Sequence, residues 1–130
     1  MLTQTPTGLF AANLASVAAP LAEQLAQNRY VGQLRTVSTF ELSAMIDRIL
    51  DHYSRWSAGD ESELTACLDF LENICFALSI PLAEAAYALY VLRDGISASP
   101  AFAVENEKKE TTRQVNTFFE ALVRGLLRRY

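Results

Sequence analysis

The chain has 130 residues, of which 51% are hydrophobic and 20% are charged. This length and composition are typical of one globular domain, and they argue against a disordered or low-complexity chain. The formal net charge of −4 argues against nucleic acid and anionic membranes as partners, because both attract basic surfaces. After residue 110 the balance is reversed, since four arginines accompany one glutamate there.

The beginning of the chain contains Thr3, Gln4 and Pro6 and lacks the basic and apolar regions of a signal peptide. No apolar run approaches the length of a membrane span. We therefore expect a cytoplasmic protein without membrane insertion.

Two helices are predicted in the first half of the chain, over residues 9–27 and 39–56, because apolar residues recur at steps of three and four. Pro20 lies inside the first pattern, and it either kinks this helix or starts a new one near Ala19. Ser38, with Glu41 three residues later, forms a capping-box pattern before the second helix. The predicted buried residues of the second helix are Leu42, Ile46, Ile49, Leu50, Tyr53 and Trp56.

A third helix is predicted over residues 61–78 and is expected to be central to the core. Gly59 suits a left-handed cap on the preceding helix, and Asp60 with Glu63 repeats the capping-box pattern. Cys67 and Cys75 lie in this helix about 12 Å apart, which exceeds the reach of a disulfide. We expect both to be small buried apolar residues. The full predicted stripe is Leu64, Cys67, Leu68, Leu71, Ile74, Cys75 and Leu78.

The fourth helix is predicted over residues 81–94, with Pro81 in its first turn and Gly95 as its C-terminal cap. Glu84 is the single charged residue between positions 80 and 92, and apolar side chains occur on every side of the helix. This helix is therefore expected to be central, or to present one face to a partner.

A fifth helix is predicted from residue 106 to the end of the chain. Its apolar stripe is wider than one side of a small bundle usually needs, so we expect the surplus to bind a second copy. The predicted interface, which also serves as the output surface, consists of Phe118, Leu122 and Leu126. The fold class that follows is all-α, with about five helices in one domain over residues 1–130, arranged as a helical bundle or a globin-like fold.

The sequence lacks the zinc-binding, phosphate-binding and nucleophile motifs that identify common enzymes, so we expect neither catalysis nor a cofactor. Two specific functions would depend on His52, the single histidine of the chain: histidine phosphotransfer and haem ligation. It is expected instead to be an ordinary solvent-facing residue, because it lies beside Asp51 and off the apolar stripe. Three aromatic residues could line a ligand pocket, and their alternative role is to pack in the core. They are Phe40, Tyr53 and Trp56.

Several short segments resemble one known family. They are Thr39-Phe40-Glu41-Leu42, Ser79-Ile80-Pro81-Leu82-Ala83-Glu84-Ala85, Leu89 to Leu92 with Arg93-Asp94-Gly95-Ile96, and Val115-Asn116-Thr117-Phe118-Phe119 with Arg124-Gly125. Together they resemble the N-terminal sensory domain of the RsbR and RsbRD group of stress-response regulators, which also precedes some bacterial histidine kinases. The resemblance implies a non-haem globin-like or bundle domain that dimerises and signals through its C-terminal helix to an output domain. It implies no catalytic residue.

The interpretation that follows is a cytoplasmic sensory or protein-interaction module of bacterial signal transduction. Its expected partners are a second copy and a downstream output domain or signalling protein. The alternatives are a histidine phosphotransfer domain that uses His52 and a dimeric scaffold that binds no ligand.

Overall fold

The computed structural model describes residues 17–98 and 105–130, except for the side chains of residues 105–109 and 111. These residues form five α-helices and one short 3-10 turn, Leu34–Thr36. The helices are α1 (Ala18–Ala26), α2 (Thr39–Ser57), α3 (Ser62–Leu78), α4 (Leu82–Ser97) and α5 (Glu105–Arg129). The predicted all-α fold is confirmed, as a helical bundle. The part of the first predicted helix before residue 17 lies outside the described residues.

Most predicted helix ends are confirmed by their hydrogen bonds. Pro20 lies in the first turn of α1, where its missing N–H removes no helical bond. The Ser38 hydroxyl accepts a hydrogen bond from the Glu41 amide and caps α2. Gly59 has a φ of +116°, and the amide of Asp60 donates back to the Arg55 carbonyl, which closes a Schellman cap.

Two predicted caps are wrong. Asp60 accepts hydrogen bonds from the amide and hydroxyl of Ser62, and the Glu63 side chain turns towards α2 instead of completing a capping box. Gly95 does not end α4, which continues to Ser97. A Cβ atom at Gly95 would overlap the side chain of Leu21, so this glycine allows α1 to approach α4 closely.

The core lies where α2, α3, α4 and α5 meet, and α1 covers it from the side of α2 and α4. Gly125 brings α5 close to α3, since an added Cβ would lie 2.5 Å from Leu68 Cδ1. The end of α5 is also fixed to α3, because Arg129 pairs with Asp69 at 2.7 Å. No helix within the described ranges combines the length and apolar character needed to cross a membrane.

The wide apolar stripe of α5 is used inside the chain. Phe118, Leu122 and Leu126 are all almost completely buried. Because α5 contacts α2, α3 and α4, most of its stripe packs against other helices of the chain. The predicted dimer interface at these three residues is therefore corrected, since none of them offers a surface to a second copy. The large apolar side chains that α5 does expose are Leu127 and Tyr130.

Candidate functional site

The predicted aromatic pocket is not formed. Phe40 is 84% exposed at the beginning of α2, whereas Tyr53 is buried one helix length away. Thirteen helical positions separate them by about 20 Å. Tyr53 and Trp56 instead pack around Phe118, with ring centroids 5.4 Å and 5.2 Å from its own. Tyr53 is therefore a core residue and Trp56 a partly buried one, and both join α2 to α5.

An apolar cavity of about 60 Å³ lies elsewhere in the core, between all five helices and the 3-10 turn. Every helix contributes at least one side chain, including Leu25 from α1, Ile49 from α2, Leu71 from α3, Ala88 from α4 and Leu126 from α5. The lining consists of Leu, Ile, Met and Ala side chains and the thiol of Cys75. Sequence patterns identify such residues as core but do not show where their packing leaves space.

Both cysteines are buried and free, as the sequence predicts. Burial raises the pKa of Cys67 to about 12 and also raises the pKa of Cys75. Each is therefore a neutral thiol at neutral pH, and Cys75 adds no charge to the cavity wall.

His52 is buried, contrary to the prediction that it faces solvent. Only 5% of its surface is exposed, and its Nδ1 atom lies 2.6 Å from Oε2 of Glu63. The other oxygen of Glu63 accepts a hydrogen bond from Nε of Arg55 at 2.5 Å, and Arg55 also pairs with Asp51. A carboxylate from α3 therefore binds both a histidine and an arginine of α2 and links the two helices.

The Arg55 guanidinium, and then His52, lower the pKa of Glu63. Because an ionised carboxylate only accepts hydrogen bonds, the Nδ1 atom of His52 is the donor. The Nε2 atom is buried and finds no hydrogen-bond partner among the described residues. A phosphoryl donor or a haem iron would have to reach one of these two nitrogens, so the geometry favours neither alternative. The described residues also contain no cluster of three or more His, Cys, Asp or Glu side chains that could hold a metal ion.

An exposed aromatic and basic surface runs along α4 and the loop before the 3-10 turn. We call it the tyrosine face, and it consists of Asn28, Arg29, Tyr30, Tyr87, Tyr90 and Arg93. Tyr87 and Tyr90 are each 38% exposed and lie three positions apart, so they are neighbours on the helix surface. The helix α4 therefore has a buried side and an exposed side, and the expectation that one face meets a partner stays a prediction.

Side-chain contacts hold the tyrosine face in one arrangement. The rings of Tyr30 and Tyr87 meet edge to face at 5.7 Å, and Asn28 donates a hydrogen bond to the Tyr87 hydroxyl. The guanidinium of Arg29 lies 5.1 Å from the centre of the Tyr30 ring, and that of Arg93 lies 4.9 Å from the Tyr90 ring. At exposed sites each such cation–π contact is worth about 0.5 to 1 kcal/mol.

The loop of the tyrosine face is attached to α4 by Glu84. Its two carboxylate oxygens accept hydrogen bonds from the backbone amides of Gln33 at 3.1 Å and Leu34 at 2.8 Å. This contact joins residues about fifty positions apart, which is why sequence spacing on α4 alone does not reveal the whole surface. Glu84, the single charged residue between positions 80 and 92, thus stabilises the fold by binding these two amides.

Other residues that carry the family resemblance also have structural roles. Phe118 and Phe119 are core side chains, and Gly125 allows the close contact with Leu68. Comparisons with models of protein families, with curated proteins and with solved structures find no match to this chain.

Proposed function

We propose that this chain is a cytoplasmic sensory or protein-interaction module of bacterial signal transduction, which binds a second copy through the tyrosine face and signals through α5. The observation that carries the proposal is the surface formed by three exposed tyrosines with the exposed Arg29 and the partly buried Arg93. Tyrosine and arginine are enriched at the energetic centres of protein interfaces. The proposed role is binding and not catalysis. The resemblance to the RsbR sensory domains supports a signalling context.

A second copy fits the α4 part of the tyrosine face, because Tyr87 and Tyr90 lie on an uncharged stretch and Arg93 already pairs with Asp94 at 3.1 Å. Between Ala85 and Leu92, α4 carries no charge, so two such helices can approach without burying like charges against each other. In a two-fold antiparallel pairing centred on Tyr90, Arg93 of each copy lies opposite Tyr87 of the other. The contact between Arg93 and Tyr87 then occurs twice, as two-fold symmetry requires.

Light scattering coupled to gel filtration at low micromolar concentration tests this proposal. We expect the wild type to be a dimer and the double variant Tyr87→Ser/Tyr90→Ser to be a monomer. Phe40→Ser is the control, because it removes a more exposed aromatic side chain outside the tyrosine face. This control should remain dimeric.

Circular dichroism shows whether each variant is folded, so that loss of the dimer is not mistaken for loss of the domain. A monomeric wild type, or a double variant that is folded and still dimeric, would contradict the proposal. A Phe40→Ser monomer would place the interface at the beginning of α2 and would contradict it equally.

A further inference from the structure

The size of the core cavity limits what it can hold. A cavity of about 150 Å³ accommodates benzene, which has six heavy atoms, so each heavy atom takes about 25 Å³. On that scale the observed 60 Å³ suits about two or three heavy atoms. We propose that this cavity is a binding site for a neutral, apolar molecule of that size, such as dioxygen or a very short hydrocarbon.

The lining selects against polar ligands. The side chains around the cavity are aliphatic, apart from the thioether of Met45 and the neutral thiol of Cys75. A polar molecule of the same size would lose its hydrogen bonds to water and regain almost none inside. Empty cavities with apolar walls remain dry and accept apolar gases.

The position of the cavity links its occupancy to α5. Leu126 borders the cavity on α5, and Leu71 borders it on α3. The end of α5 is fastened to this region, since Arg129 pairs with Asp69 and the Tyr130 hydroxyl donates a hydrogen bond to the Ile80 carbonyl at 3.1 Å. A ligand that changes packing at Leu126 therefore acts on the helix that carries the signal. This inference rests on the proposed sensory function and names its ligand class.

Methyl NMR of the full chain, labelled at Ile, Leu and Val methyl groups, tests the site with xenon and dioxygen as separate probes. Under xenon pressure, the resonances of Ile49, Leu71 and Leu126 should shift and saturate. Dioxygen, which is paramagnetic, should broaden the same resonances more than that of the exposed Leu127. Leu127 is the internal reference because it is the next residue on the same helix and does not line the cavity.

Two variants of α4 separate a filled cavity from a general change in the helix. Ala88→Val adds two carbon atoms at the cavity wall and should reduce the xenon-induced shifts at least fivefold. Ala83→Val makes the same chemical change at an exposed position of the same helix and should leave the shifts unchanged. Ile49→Val enlarges the cavity by one methyl group, and its shifts should saturate at lower xenon pressure.

Absence of saturable shifts in the wild type overturns the inference. Equal shifts in Ala88→Val and Ala83→Val overturn it as well, because the bound gas would then lie elsewhere. If Ala88→Val does not fold, the Ile49→Val variant tests the inference alone. Unchanged or weaker xenon binding in that variant contradicts binding in the cavity. Light scattering tests the proposed dimer without added xenon or dioxygen. A failure of the proposed function can therefore be distinguished from a failure of the cavity site.

Discussion

Because Gly125 lies close to Leu68, we predict that Gly125→Ala lowers the free energy of unfolding in the wild type and raises it when Leu68 is replaced by Ala. In an unstrained helix interior, Gly→Ala stabilises by about 1 kcal/mol. Here the new Cβ would lie 2.5 Å and 2.7 Å from the two methyl carbons of Leu68. Overpacking of this kind costs about 1 to 3 kcal/mol. We therefore expect Gly125→Ala to destabilise the wild type by about 0 to 2 kcal/mol.

In a Leu68→Ala background the obstructing methyl groups are gone. The same Gly125→Ala change should then stabilise the protein by up to about 1 kcal/mol. Urea denaturation followed by circular dichroism gives the four free energies of this double-mutant cycle. Gly95→Ala is the matched control, because its neighbours are Leu21 and Gln24 and its effect should be equal in both backgrounds. An effect of Gly125→Ala that is the same with and without Leu68 would refute the close-packing argument.

Two further predictions concern Glu63 and the cysteines. The pKa of Glu63 is lowered in the folded state, so its contribution to the free energy of unfolding is present above about pH 4.3, the unfolded pKa, and is lost as the pH falls. Urea titrations between neutral and acidic pH should show a smaller acid loss in Glu63→Gln than in the wild type, and parallel curves would contradict this. Because burial raises the pKa of Cys67, its thiol should react with a disulfide reagent only after denaturation, and the melting temperature should not depend on reductant. Fast reaction of the native Cys75→Ala variant would contradict the burial of Cys67.

The sequence predicts the helices well because their signals are local. Ser38 caps α2 through the amide of Glu41, and Gly59 adopts a positive φ, which are roles that their residue types favour. Gly95 shows the limit of such local rules. A glycine near a predicted helix end suits a cap, but it also suits close packing, and only the position of Leu21 on another helix distinguishes the two.

Apolar periodicity predicts which side chains of a helix are buried, but not which partner buries them. Phe118, Leu122 and Leu126 have the spacing of an interface stripe, and the same spacing serves a helix that contacts three others of its own chain. The tyrosine face is the opposite case, a surface that the structure shows and the sequence does not predict. Its two halves lie far apart in the sequence, and they form one surface because Glu84, Asn28 and Tyr30 join the loop to α4.

His52 shows why polarity alone is a poor guide to exposure. It lies three positions after Ile49 and four before Trp56, so its spacing suits the buried side of α2 as well as an exposed one. A polar side chain can be buried when a partner satisfies it, and here that partner is Glu63, whose sequence position suggested a helix cap. The Glu63 side chain points to His52 and Arg55, and the Asp60 amide that a capping box would offer it donates instead to the Arg55 carbonyl. The two predictions failed together because each depended on treating these residues as local features of separate helices.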